Sequence, residues 1–130
     1  MRSPYTRRVM DWKLELIQVP VTDVDRAIAF YTEQAGFNLD HDHRVSDDLR
    51  FVQLTPPGSG CSISMGPPTG MAPGSLEGLQ LVVPDIEAAR AELEGRGMDV
   101  GEVQDFPWGR FVFFSDPDGN GWAVQETGQQ

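Results

Sequence analysis

The sequence predicts an α+β chain made of two tandem βαβββ modules, whose paired mixed sheets enclose a cleft. Three observations lead there. Glu15-Leu-Ile-Gln18-Val-Pro-Val21-Thr-Asp23-Val-Asp-Arg-Ala27 is echoed by Glu77-Gly-Leu-Gln80-Leu-Val-Val83-Pro-Asp85-Ile-Glu-Ala-Ala89, at an offset of 62 residues. Leu54-Thr-Pro56-Pro57-Gly58-Ser-Gly60 is echoed by Ser115-Asp-Pro117-Asp118-Gly119-Asn-Gly121, at an offset of 61. Each half also carries one stretch of helical spacing among stretches of strand character, in the same order. A repeat of about half the chain sets the architecture before any local preference does. The 130 residues suffice for one compact unit of two joined halves.

The first module opens with Lys13 to Val21, dense in apolar residues as a buried strand is. Thr22 or Asp23 caps a helix, with Asp25 in the first turn, where the helix dipole favours acids. Val24, Ala27, Ile28, Phe30 and Tyr31 have helical spacing, and Gly36 ends the helix. Phe37 to Val45, Leu49 to Thr55 and Cys61 to Gly66 read as strands, separated by the turns Ser46-Asp-Asp48 and Pro56-Pro-Gly-Ser-Gly60. A Pro- and Gly-rich, uncharged stretch then joins the halves.

The second module repeats the order. Glu77 to Val83 is a strand, and Asp85 caps a helix that runs through Glu94 until Gly95-Arg-Gly97 stops it. Met98 to Gln104, Gly109 to Ser115 and Gly121 to Thr127 are strands. In the turn Asp116-Pro-Asp-Gly-Asn120, proline fixes φ while Gly and Asn accept positive φ. The organisation expected is one domain over 10–130, with a module at 12–66, a linker at 67–76 and a module at 77–127. Residues 1–9 read as a flexible extension, Met10 being a second possible start.

A net charge of -10 speaks against nucleic acid and anionic membrane surfaces, which need a basic face. Cys61 is the single cysteine, so no intrachain disulfide forms, as suits a reducing cytoplasm. It reads as a small buried hydrophobe. No apolar run approaches the roughly 18–20 residues that span a bilayer.

Val21-Thr-Asp23-Val-Asp-Arg-Ala-Ile-Ala-Phe30-Tyr31, then Gly36-Phe37, and Phe114-Ser-Asp116-Pro-Asp-Gly-Asn-Gly121 near the other end, resemble the vicinal oxygen chelate superfamily. This is the group of glyoxalase I, bleomycin-resistance proteins and extradiol dioxygenases. The resemblance covers residues 12–127 and implies a glyoxalase-like fold, a homodimer, and a divalent metal held by the first and last strand of each module. Counted from Asp23, Asp85, Gly119 and Gly58, the implied ligand positions are Leu16, Gly78, Ala123 and Ser62. Leu, Gly and Ala cannot bind a metal through a side chain, and a neutral serine is a poor ligand alone. The expectation is therefore a member without the usual metal ligands, and no cofactor.

Strand alternation, with Leu16 facing the cleft, brings Gln18, Gly78 and Gln80 with it. Ser62, Ser64, Ala123 and Gln125 follow on the last strands, and Gln53 with its repeat partner Phe114 on the third. Gln18 and Gln80 then either hydrogen-bond a polar ligand or satisfy each other or nearby backbone. Trp108 and Arg110 either stack on and clamp a ligand, or serve as core and solvated charge. His41 and His43 share one strand face, with Asp40 and Asp42 on the other. They form a charged solvent face or, where the cleft reaches them, supply a general base or a relocated metal site. The function expected is binding of a small organic molecule in the cleft without the family metal. The alternatives are a cofactor-independent lyase or isomerase on the same scaffold, or a metal-dependent enzyme. A cytoplasmic homodimer is expected, its modules paired within one chain or exchanged between two.

Overall fold

The computed structural model describes residues 10–127, so the expectation for residues 1–9 lies outside the described residues. In chain order the elements are β1 (Leu16–Gln18), α1 (Val24–Ala29), a π-helical turn (Phe30–Gln34), β2 (Asn38–Ser46), β3 (Leu49–Thr55) and β4 (Ser62–Met65). Then come β5 (Leu79–Val83), α2 (Ile86–Gly95), β6 (Gln104–Phe106), β7 (Gly109–Ser115) and β8 (Gly121–Glu126). They build two four-stranded sheets of equivalent order, β1-β4-β3-β2 and β5-β8-β7-β6. Within each, the first strand runs parallel to the fourth and the other pairs are antiparallel. This is the α+β, two-module, mixed-sheet architecture that the repeat predicts.

Both helices start where the caps place them. Asp23 accepts from Arg26 N at 3.0 Å and Asp85 accepts from Ala88 N at 3.1 Å, each satisfying an otherwise free amide of the first turn. The first helix widens at its end: Ala35 N donates to Phe30 O, five residues back. Two expected strands are shorter than the sequence suggests. β1 spans only Leu16–Gln18, and Met98 to Val103 is not strand at all. Met98 and Val100 are buried and hold that segment by packing, while its backbone makes a single bond to the sheet, Gly101 N to Phe113 O. Arg90 Nε secures the same carbonyl stretch from α2, donating to Gly101 O at 2.8 Å.

One face of each sheet joins a single core. Val19, Tyr31, Phe37, Val52, Leu54, Ile63 and Met65 from the first half meet Leu79, Ile86, Val112, Phe114, Trp122 and Val124 from the second. Tyr31 and Phe37 lie against Trp122 at ring separations of 5.8 and 5.6 Å. At this seam Asp116 Oδ2 accepts from Tyr31 OH at 2.8 Å, and Tyr31 OH accepts from Trp122 Nε1 at 3.0 Å. Asn120 Nδ2 donates to both Asp116 Oδ2 and Pro20 O. Asp118 accepts from Thr22 N and Thr22 Oγ1. The two segments that carry the family resemblance are thus bonded to each other and clasp the halves together. The linker closes over the same turn. A Cβ on Gly74 would lie 2.0 Å from Asp118 O, so only glycine fits this approach.

Candidate functional site

The opposite, open faces of the sheets lie outside that core. On the second sheet the register aligns Gln80, Ala123 and Phe113 in one row, and Val82, Gln125, Phe111 and Gln104 in the next. Side chains of such rows share a face. Four aromatic rings gather there. Trp108 stacks on Phe106 at 5.2 Å and 8° between planes, and Phe111 stacks on Phe113 at 5.8 Å and 8°. Phe106 meets Phe111 edge-on at 5.7 Å and links the two stacks. Phe111 is buried yet absent from the core cluster, because other rings of this platform cover it. Trp108 is 68% exposed and Phe113 39% exposed. The exposed ring surfaces of Trp108 and Phe113 can stack a planar ring and gain by removing it from water.

Beside the platform is a hollow of about 420 Å³, whose lining includes Glu77, Gly78, Phe113, Ser115, Gly121 and Ala123. It exists because three neighbouring positions carry Gly or Ala. A Cβ at Gly78 would meet nothing within 4 Å. Positions 78 and 123 are two at which the resemblance implies metal ligands, so space replaces donors there.

An amide relay borders the platform. Gln80 Nε2 donates to Gln125 Oε1 at 2.7 Å, and Gln125 Nε2 donates to Trp108 O at 3.1 Å. The relay fixes the β6–β7 turn that carries Trp108.

The open face of the first sheet is polar. Gln18, Ser64, Gln53 and His41 form one row, with Leu16 and Ser62 beside it and Phe51 opposite His43. Gln53 Nε2 donates to Ser62 Oγ at 3.2 Å, Ser62 Oγ pairs with Thr55 Oγ1 at 2.7 Å, and Thr55 Oγ1 donates to Asp40. Ser64 is fully buried, and its hydroxyl has no hydrogen-bond partner among the described residues. His41 and His43 stack at 5.5 Å. A register shift between Leu39 and His41 lets Asp40 reach Thr55 on this side instead of taking the opposite face. Asp42 does take that opposite face. There two hydrogen bonds from Arg50 hold its carboxyl below the usual carboxylate range.

Several expected placements change. Phe114 is not on the open face: it pairs with Trp122, is buried, and stacks on that ring at 5.8 Å. Phe113 occupies the open side. Equivalent residues are 60 apart in β3 and β7 (53 and 113) and 59 apart in β4 and β8 (64 and 123), so the offset of 61 misaligns both pairs. By register Gln53 answers Phe113, and Ser64, not Ser62, answers Ala123. Arg110 lies away from Trp108's stacking partner and is engaged by carboxylates. It pairs with Asp105 on the helix side, donating to Asp105 at 2.8 Å and to Glu87 of α2 at 3.0 Å. Gln80 bonds Gln125 rather than Gln18. Cys61 is half-buried. Phe106, Phe111 and Phe113 were missed; the alternation in Arg110-Phe-Val-Phe-Phe-Ser115 contains Phe111 and Phe113 on one face.

The donor set at the implied metal positions does not fit a divalent metal. Leu16, Ser62, Gly78 and Ala123 offer one hydroxyl, and Ser64 by register offers one more, where such ions need imidazole, thiolate or carboxylate. Among the described residues no group of three His, Cys, Asp or Glu side chains could hold a metal.

With two βαβββ modules, their clasp and these strand positions defined, the family follows. The model of the Glyoxalase/Bleomycin resistance protein/Dioxygenase superfamily matches residues 13–124, and the chain belongs to that superfamily. It is similar to TnmS3, an antibiotic binding protein from Streptomyces sp. CB03234, at 38% identity and a TM-score of 0.79, over 89% of this chain and 96% of that one. A superfamily member from Sphaerobacter thermophilus DSM 20745 is 31% identical with a TM-score of 0.77, over 91% and 99%. YetH of Bacillus subtilis (strain 168) is 29% identical over 114 residues, 85% of this chain and 94% of that protein.

Proposed function

We propose that this chain binds a planar aromatic small molecule on the open face of its second sheet, without a metal. The observation that carries the reading is the aromatic cluster of Phe106, Trp108, Phe111 and Phe113, with Trp108 and Phe113 exposed, beside a hollow where the family positions lack donors. Most binding energy then comes from stacking and apolar burial, with a few polar groups fixing orientation. The antibiotic binding described for TnmS3 is consistent with such a ligand.

The site is completed by a second copy. Val82, Trp108 and Phe113 are exposed apolar side chains on one face, and exchange of sheets between two chains would cover them with the polar face of the partner's first sheet. The protein acts as a cytoplasmic homodimer in this reading. Among the described residues no helix is long and apolar enough to cross a membrane.

Titration with phenazine, a neutral planar tricycle, followed by tryptophan fluorescence, tests the reading. Saturable quenching is expected, with affinity about tenfold weaker in Trp108→Ala. Absence of saturable binding would sink it. The lyase or isomerase alternative draws on the stacked His41 and His43, whose rows face the open side. It predicts that bound compounds are chemically altered, which mass spectrometry of the recovered ligand decides.

A further inference from the structure

We infer that the ligand presents a hydrogen-bond donor, an amino or hydroxyl group on its ring edge, to the carbonyl oxygen of Gln80. This rests on the stacking site proposed above and specifies its chemistry further.

The direction of the amide relay carries the argument. A backbone carbonyl only accepts hydrogen bonds. Trp108 O therefore requires the Nε2 end of Gln125, which approaches to 3.1 Å. That leaves Gln125 Oε1 turned toward Gln80, and only Nε2 of Gln80 can bond it, at 2.7 Å. Neither glutamine can flip without placing two donors or two acceptors together. The orientation of both amides thus follows from one fixed backbone group. Gln80 Oε1 is the end left over, on an exposed residue, and no donor among the described residues bonds it.

Glycine at position 109 is part of this device. A Cβ there would lie 2.6 Å from Gln125 Nε2, and its φ of 149° disfavours other residues. The absent side chain lets the Gln125 amide reach the Trp108 carbonyl.

The position of Gln80 fits a ligand on the platform. Gln80, Ala123 and Phe113 share one row across three strands, so Gln80 and Phe113 are about 10 Å apart along the sheet. The middle residue, alanine, raises no barrier between them. A tricyclic molecule stacked on the rings reaches Gln80 with its edge. An acceptor edge, such as a carboxylate or ketone, would meet another acceptor there. The chain's net charge of -10 and Glu77 beside the hollow add to the bias against anions.

Two isosteric probes test this: 2-aminophenazine, whose amino group donates, and 2-methylphenazine, whose methyl group does not. Both are titrated by fluorescence quenching at pH 8, where both are neutral, and the quantity read is the ratio of their dissociation constants. The wild-type protein is expected to bind the amino probe about fivefold more tightly. Gln80→Leu should bring the ratio to about one. Gln125→Leu should also reduce it, since the Gln80 amide is then free to turn. Reading both probes on the same variant cancels any shared damage to the platform. A ratio of one in the wild type, or a preference that survives Gln80→Leu, overturns the inference while leaving the stacking site in place. Failure of the wild type to bind either probe overturns both.

Discussion

Asp116 accepts five hydrogen bonds at the seam between the two halves. It is 4% exposed and accepts from Tyr31, from Asn120 and from the backbone amides of Asp118, Gly119 and Asn120. Removing it leaves buried donors without partners, so Asp116→Ala should cost about 3 kcal/mol of stability by urea denaturation. Tyr31 supplies a pH signature. Burial first, then Asp116, pushes its phenol above the ordinary tyrosine value. The folded state holds that proton more tightly than the unfolded chain does. Its contribution is therefore complete below the ordinary tyrosine value and declines as pH rises through it. The thermal midpoint should fall between pH 9 and 11, and Tyr31→Phe should flatten part of that slope. Gly109→Ala should lower stability by about 1–2 kcal/mol and weaken phenazine binding together, because it displaces the Gln125 amide from Trp108 O.

At the scale of elements, β7 divides the work of the second sheet. Val112 and Phe114 enter the core, while Phe111 and Phe113 form half of the platform. Exchanging the two roles needs only a one-residue slip, since alternate side chains take opposite faces. The slip is prevented by the turn before β8, which Asp116 and Asn120 hold in place. The sequence made β7 legible as a strand but put Phe114 rather than Phe113 on the open side. The offset of 61 holds for the turn motif and not for the strand before it, where equivalent residues are 60 apart (53 and 113). The second helix is simpler. Asp85→Ala removes its cap and should cost about 1 kcal/mol, read as a lowered thermal midpoint with binding of phenazine retained.

For the whole molecule, the core unites the helix-covered sides of both sheets and leaves the open sides outside it. The proposed exchange of sheets between two copies follows from that arrangement, and sedimentation velocity should show a dimer. Val82→Arg places an unpaired charge on the exposed face and should raise the dimer dissociation constant about tenfold or more. A monomer that binds phenazine with unchanged affinity would contradict the second copy's part in the site.

The amino-acid sequence by itself determined the two-module α+β architecture, the Asp85 helix cap and the absence of the usual donors at the family's metal positions. These are local or periodic features: a repeat, an Asp before a helical stretch, a Leu, Gly or Ala where a ligand would stand. Only the tertiary structure decided that the Asp116–Asn120 turn clasps Tyr31 and Pro20 of the other half, that Gln80 bonds Gln125 rather than Gln18, and that Arg110 turns to the helix side. It also decided which phenylalanines lie on the open face of the second sheet. The physical reason is register. Which side chains meet across neighbouring strands depends on how many residues each turn contains and on what those turns bond, and a chain read in one dimension does not specify either.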